Sequence, residues 1–270
     1  MSNPLMGRMV KQGVRDARSP QYTDMDAARL QEMYSAPAAG PEARPQKERA
    51  LQFDDVIMKT AINFAILLVG AAVGWMVPIL GLPAMLVGLV LALIICFKKE
   101  PSKGLVIAYS AVEGVFLGGI SALFDAMYPG IVVQAVLATL SVAAVCFGLY
   151  KFRIVRVTSG FNKFLLFAVG GYAVFSLVNF VFAMATGTGG ARTMEISIMG
   201  IDMPLGILIS GIAVILASMT LISDFNQVEV AVQNQVPEKY SWFFAFSLMT
   251  TLIWLYIEIL RILSYIRGGD

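Results

Sequence analysis

Long apolar stretches separated by short polar breaks dominate the chain from residue 57 onward. Each approaches the roughly 20 residues that an α-helix needs to cross a bilayer. They occupy residues 57–77, 80–97, 105–124, 131–150, 164–185, 204–223 and 242–266. The breaks contain helix-stopping residues such as Pro101, Pro129 and Gly130. The pattern predicts an all-α, polytopic membrane protein with seven transmembrane helices.

The composition supports this class and narrows the chemistry. Of 270 residues, 58% are hydrophobic and 14% are charged, and the mean hydropathy is +0.75, outside the range of soluble domains. Histidine is absent, which rules out His-ligated metals and Ser-His nucleophiles. We therefore expect neither an enzyme nor a nucleic-acid-binding protein. Cys96 and Cys146 lie in apolar stretches, which predicts packing rather than a disulfide.

Charge distribution predicts the domain organisation and the orientation. Residues 1–52 are rich in Pro, Ala and charge, which predicts a disordered tail ahead of a transmembrane domain at 53–270. Basic residues gather in the tail and in the segments 98–103 and 151–163, whereas the opposite connections contain only Arg192. By the positive-inside rule, the tail and the basic connections are cytoplasmic. The expected location is a cell (plasma) membrane, the inner membrane of a bacterium.

Three carboxylates fall inside or at the end of apolar stretches: Glu113, Asp224 and Glu258. A charge at the bilayer centre costs about 2.5–3.5 kcal/mol, so such groups usually face a cavity or a partner and mark an ion path. Two simpler interpretations stay open. Glu258 and Arg261, three residues apart, would form a plain ion pair, and Asp224 would be a solvated charge at a helix end, since "FNQVEVAVQNQ" follows it.

Small residues predict where helices approach closely. Gly70 and Gly74 in the first stretch, and Gly114 and Gly118 in the third, each form a GxxxG pair. Such pairs let two backbones come into contact. Because GxxxG is frequent in apolar segments, we interpret both pairs as packing within the bundle rather than as a dimer site.

Three motifs, in this order along the chain, suggest a family: "EGVFLGGIS", "LISDFNQVE" and "WLYIEILRIL". Over residues 57–267 the sequence resembles the transmembrane Bax inhibitor motif family, in a bacterial branch. The resemblance implies seven helices with the last one central. It also implies a pH-sensitive calcium leak controlled by paired aspartates on helices six and seven, with a basic latch after helix two.

The family residues transfer to this chain only in part. The helix-six aspartate matches Asp224, and the latch matches Lys98, with Lys99 adjacent. Aligned through Arg261, the helix-seven aspartate falls on Thr251; aligned through "LYIE", it falls on Glu258. We prefer Thr251. The pair of carboxylates is then incomplete, and Glu113 or Glu258 would have to supply the second charge.

These residues lead to an expected function. Calcium prefers oxygen ligands, so we expect weak calcium contacts at Asp224 and Glu113 and ion passage gated by the buried carboxylates. No cofactor is expected beyond calcium as the permeant ion, and the expected partners are membrane lipid and calcium. The alternative is a regulatory membrane protein that binds a membrane protease or a stress-response partner through the tail and residues 224–241.

Overall fold

The computed structural model describes residues 7, 9–12, 14–15, 49–98, 100–187, 190–198 and 201–268. Within these residues, seven helices are long and apolar enough to cross a membrane. The helices are α1 Phe53–Met76, α2 Gly81–Phe97, α3 Lys103–Met127, α4 Ile131–Lys151, α5 Ser159–Thr186, α6 Leu205–Gln233 and α7 Ser241–Gly268. The second and seventh spans also include the 3₁₀ turns that precede α2 and α7, Pro78–Leu80 and Glu238–Tyr240. The prediction of a helical membrane protein with seven spans is confirmed.

The last helix lies at the centre of the bundle, as the family resemblance implied. In its most apolar 18-residue window 67% of the residues are buried, against 44% in α3 and 6% in α5. Helices α6, α1 and α4 pack against it. Most of the circumference of α7 therefore faces protein, so polar side chains on this helix meet other helices rather than lipid.

The predicted breaks between the helices are confirmed. We call the end of the bundle where α1 begins the proximal end, and the opposite end the distal end. At the distal end, Gly130 precedes α4 with φ +79° and Gly187 follows α5 with φ +68°. Glycine adopts these left-handed conformations at no steric cost. At the proximal end, Pro101 and Pro237 stand in the connections before α3 and α7.

The connection between α5 and α6 contains a short β-hairpin that the sequence pattern did not predict. Strands β1 Glu195–Ile198 and β2 Ile201–Pro204 pair antiparallel, with Ile198 opposite Ile201. Just before the hairpin, a 3₁₀ turn spans Gly190–Thr193. The hairpin and the turn lie at the distal end of the bundle, where the turn brings one side chain into the helix bundle.

Helix α6 is longer than predicted. We expected the span to end at residue 223, with Asp224 at its end and a loop beyond it, but the helix continues to Gln233. The polar extension stays helical because one face, with Val228 and Ala231, is buried in the bundle. On the outer face Gln233 donates to Glu229 at 3.0 Å, a favourable i,i+4 pair. Asp224 is therefore an interior helix residue.

The two glycine pairs pack against each other, which places α1 and α3 in backbone contact. A Cβ added at Gly118 would overlap the backbone of Ala71, and one at Gly70 would overlap the carbonyl of Ala111. Gly74 and Gly114 are equally tight against the facing backbone. The predicted role of both GxxxG pairs in packing the bundle is confirmed.

The end of the predicted tail is attached to the connection between α6 and α7. The amide of Leu51 donates to the Val236 carbonyl at 2.7 Å, and the amide of Glu238 donates to the Arg49 carbonyl at 2.8 Å. Residues 1–6, 8, 13 and 16–48 of this tail lie outside the described residues. Of the others, Met9 is fully buried in the main hydrophobic cluster.

Candidate functional site

A fully buried carboxylate between α6 and α7 forms the first site. Asp224 has no exposed surface. The Thr251 hydroxyl donates to its Oδ2 at 2.7 Å, and the Ser247 hydroxyl donates to its Oδ1 at 3.5 Å. Ser247 and Thr251 stand four residues apart on one face of α7. Among the described residues, no ion pair reaches Asp224.

The site lies well inside the bundle. Asp224 is nine residues from the end of α6 and Thr251 is ten from the start of α7, which at a rise of 1.5 Å per residue is about 14 Å and 15 Å from the proximal end. The preferred alignment placed Thr251 where the family has its second aspartate, and in this structure Thr251 is the side chain that meets Asp224. Glu258 lies about 10 Å further along α7.

Glu258 belongs to a second, distal site that contains two arginines. Its Oε1 accepts from Arg261 at 2.8 Å and from the Tyr172 hydroxyl at 2.5 Å. Its Oε2 accepts from Arg192 at 3.4 Å. Arg192 also donates to Tyr172 at 2.7 Å and to Ser210 at 3.2 Å. The local pair with Arg261 that we had left open exists, but it is only part of this larger network.

Sequence reasoning did not identify Arg192 as a site residue. It sits on the 3₁₀ turn before the hairpin, yet only 8% of its surface is exposed, because the turn directs its guanidinium between α5, α6 and α7. One sequence signal was present. Arg192 is the only basic residue in the connections on that side, which also hold no histidine, so it was the one available long-range partner for a buried carboxylate.

Glu113 occupies a third, separate position, on α3 beside α2. Its Oε2 lies over Gly88, where an added Cβ would come within 2.6 Å. The glycine thus makes room for the carboxylate. Glu113 is half-buried, and no ion pair among the described residues involves it. Among the described residues, Glu113 and Asp224 have no hydrogen-bond partner in common.

Of the two lysines expected as a latch, Lys98 makes no contact with Asp224 within the described residues. Lys98 follows the end of α2, where it is exposed, and it makes no ion pair within the described residues. Lys99 lies outside the described residues. Helix α2 packs mainly on α3 at the periphery of the bundle. Lys98 therefore lies at the periphery, whereas Asp224 lies at the interface between α6 and α7.

The three carboxylates therefore provide separate sites rather than one cluster. No group of three or more His, Cys, Asp or Glu side chains suited to a metal occurs among the described residues. At the first site, however, the carboxylate oxygens of Asp224 and the hydroxyl oxygens of Thr251 and Ser247 all converge. Such oxygen ligands suit calcium, and a site with so few protein ligands would bind the ion weakly.

Two comparisons with known proteins bear on the family of this chain. Residues 10–268 match the model of a family described as Bax inhibitor 1 like. The match begins within the tail and continues through all seven helices to the end of α7. A comparison with curated proteins returned no match.

Proposed function

The chain belongs to the Bax inhibitor 1 like family, and from this premise we propose that it is a pH-sensitive calcium-leak channel in which Asp224 gates ion passage. The observation that carries the proposal is the position of this carboxylate. It is fully buried between the central helix and its neighbour, and among the described residues its side-chain contacts are hydroxyl groups. Ionisable residues inside a membrane usually face the bundle interior and mark an ion path.

The hydroxyl partners suit a site that alternates between two states. A hydroxyl group is both a donor and an acceptor. In the closed state, Thr251 and Ser247 donate to the carboxylate and connect α6 to α7. When calcium enters, the same hydroxyl oxygens turn their lone pairs to the ion, while Asp224 supplies the negative charge. Protonation of Asp224 removes this charge, so the flux depends on pH.

The distal network supports the assignment of this conformation as closed. Around Glu258 one carboxylate faces two guanidinium groups, from Arg192 and Arg261. The network therefore carries a net positive charge, which opposes the passage of a cation. An ion that leaves Asp224 toward the distal end meets this barrier, and conduction requires Arg192 to move away from the bundle interior.

The proposed orientation places the proximal end in the cytoplasm. Basic residues concentrate on that side, for example Lys98, Lys103, Lys151 and Arg153, which agrees with the positive-inside rule. Calcium from the cytoplasm would then reach Asp224 first, and calcium from the outside would first meet the barrier at Arg192. The proposed location is a bacterial plasma membrane.

Substitution of Asp224 by Asn tests the gating role directly. The purified chain is reconstituted in liposomes that contain a calcium-sensitive dye, and the flux is followed at neutral and at acidic pH. Asp54→Asn is the matched control, because Asp54 is exposed at the start of α1. We expect Asp224→Asn to lower the flux at neutral pH by about tenfold or more, since each 1.4 kcal/mol of lost attraction is a factor of ten.

The pH response gives a second readout from the same preparation. Asn is neutral at every pH, so the flux through Asp224→Asn should not change between the two conditions, whereas the control should retain the full response. A variant whose flux and pH response both equal those of the control would overturn the proposal.

A further inference from the structure

A deep groove runs along the membrane-spanning surface between α1 and α4. Its volume is about 510 Å³. Helices α1 and α4 form the walls, and α3 and α7 form the floor. The lining residues come from the distal part of α1, from Phe64 to Trp75, and from the first half of α4, from Val132 to Leu140. The groove therefore lies in the distal half of the bundle.

The chemistry of the lining suits hydrocarbon rather than water. Three hydroxyl groups line the groove, and each already has a partner: Ser121 and Tyr256 bond to each other at 2.7 Å, and Thr139 donates to the carbonyl of Ala135 at 2.7 Å. The other lining residues are apolar apart from the indole nitrogen of Trp75, a residue that is 43% exposed. A water molecule in a protein cavity needs two to four polar partners, which this lining does not provide.

The groove opens toward the lipid. Leu68 on one wall is 64% exposed and Leu140 on the other is 61% exposed, and both stand within spanning helices. The interior of the groove is thus continuous with the apolar surface that faces the bilayer. At the floor of the groove, the central helix contributes the lining residues Leu252, Ile253 and Tyr256.

The volume of the groove limits what can occupy it. An α-helix with its side chains is about 10 Å across, so one turn of 5.4 Å occupies about 420 Å³. The groove would therefore hold little more than a single turn, too little to seat a spanning helix of a second copy of the chain. An unbranched hydrocarbon chain is compatible with this volume.

We propose that this groove binds an acyl chain of a membrane phospholipid from the leaflet at the distal end. An empty apolar space forfeits the dispersion contacts of the atoms that line it. The bilayer supplies hydrocarbon chains directly at its opening. The bound chain restores these contacts and covers the part of α7 that the other helices leave open.

The bound chain lies on the side of α7 opposite the Asp224 site. Successive residues of an α-helix are rotated by about 100°. Leu252, Ile253 and Tyr256 therefore project to one side of α7, whereas Ser247 and Thr251 project to the other, toward Asp224. The lipid chain therefore packs against the face of α7 opposite to the one that contacts Asp224. Its binding does not require the proposed calcium flux.

The test is photolabelling of the full chain in nanodiscs that contain a phospholipid with a diazirine in the middle of one acyl chain. After illumination, mass spectrometry of peptides locates the adducts. We expect adducts on Leu252, Ile253 and Tyr256 of α7, because these three residues form the part of the floor that α7 contributes. Adducts on the outer faces of α4 and α5 report the bulk bilayer and serve as an internal standard.

Two matched pairs of variants locate the binding. Ala72→Phe on α1 and Val136→Phe on α4 each fill the groove from a different wall, whereas Ala144→Phe and Val133→Phe add the same groups to exposed positions of α4 that do not line it. Labelling of Leu252, Ile253 and Tyr256 should fall several-fold in each groove variant, relative to the internal standard, and should persist in both controls.

Three results would overturn the proposal. If Leu252, Ile253 and Tyr256 stay unlabelled in the unmodified chain, no acyl chain enters the groove. Equal labelling in the groove variants and the controls would show that lipid reaches α7 by another route. Efficient competition by a free fatty acid but not by unlabelled phospholipid would assign the groove to a different ligand. Calcium flux does not enter any of these readouts.

Discussion

Substitution of Glu258 by Gln should destabilise the protein far more than the loss of a comparable surface carboxylate. The structure offers a close comparison. The pairs Arg192–Glu258 and Arg153–Glu229 have the same nitrogen-to-oxygen distance, 3.4 Å. They differ in burial: the side chains are 10% and 4% exposed in the first pair, and 81% and 27% exposed in the second.

The magnitude follows from the surroundings of each pair. At 3.4 Å, Coulomb's law gives about 5 kcal/mol at an effective dielectric constant of about 20, but about 1 kcal/mol in bulk water. Removing one partner of a buried pair typically costs about 3–5 kcal/mol, because a buried charge loses its counterion. We therefore expect Glu258→Gln to lower the free energy of unfolding by about 3–5 kcal/mol, and Glu229→Gln by less than about 1 kcal/mol.

Equilibrium unfolding in mixed detergent micelles measures both values, and two further variants test the cause. Arg192→Gln should cost less than Glu258→Gln, because Glu258 keeps its 2.8 Å contact with Arg261. The double variant of Arg192 and Glu258 should be more stable than Glu258→Gln alone, because no unpaired guanidinium stays buried on the 3₁₀ turn. Equal costs for Glu258→Gln and Glu229→Gln would refute the reasoning that burial determines the value of the pair.

Two other substitutions test the packing and the gating site. Gly118→Ala should destabilise the bundle by about 1–3 kcal/mol, because the new methyl group would overlap the backbone of Ala71; Gly148→Ala, in open space on α4, should be neutral or stabilising by up to about 1 kcal/mol. A similar melting temperature for both variants would contradict the close contact. Thr251→Asp introduces a second carboxylate next to Asp224, so calcium should half-saturate the flux at a lower concentration. Thr250→Asp, one position away on α7, is the control, and an equal change in both variants would show that the effect does not come from the site.

Much of the fold could be predicted because membrane insertion imposes simple patterns. The apolar stretches predicted all seven helices, since each span must satisfy its own backbone hydrogen bonds in lipid. The family register placed Thr251 at the position of the helix-seven aspartate, and in the structure Thr251 donates a hydrogen bond to Asp224. The glycine pairs at Gly70 and Gly118 indicated a close approach of helices, although the spacing alone did not show that the two pairs face each other.

The features that sequence reasoning missed depend on long-range contacts. Arg192 and Glu258 are 66 residues apart, and no local pattern connects them. The extension of α6 was missed because a polar run following Asp224 suggests a loop, whereas the bundle buries Val228 and Ala231 on one face. The hairpin formed by Glu195–Ile198 and Ile201–Pro204 lies in a connection between helices, where hydropathy carries little information.

The interlocked glycines of α1 and α3 determine which parts of the bundle can move. With Gly70 and Gly118 against facing backbone, sliding of one helix along the other would cause steric collision, so we expect α1 and α3 to move together as one unit. The gating motion that we propose at Asp224 would then arise from displacement of α6 and α7 relative to this unit. The hinges for that motion belong at the ends of α6 and α7, at the proximal turn and at the distal hairpin.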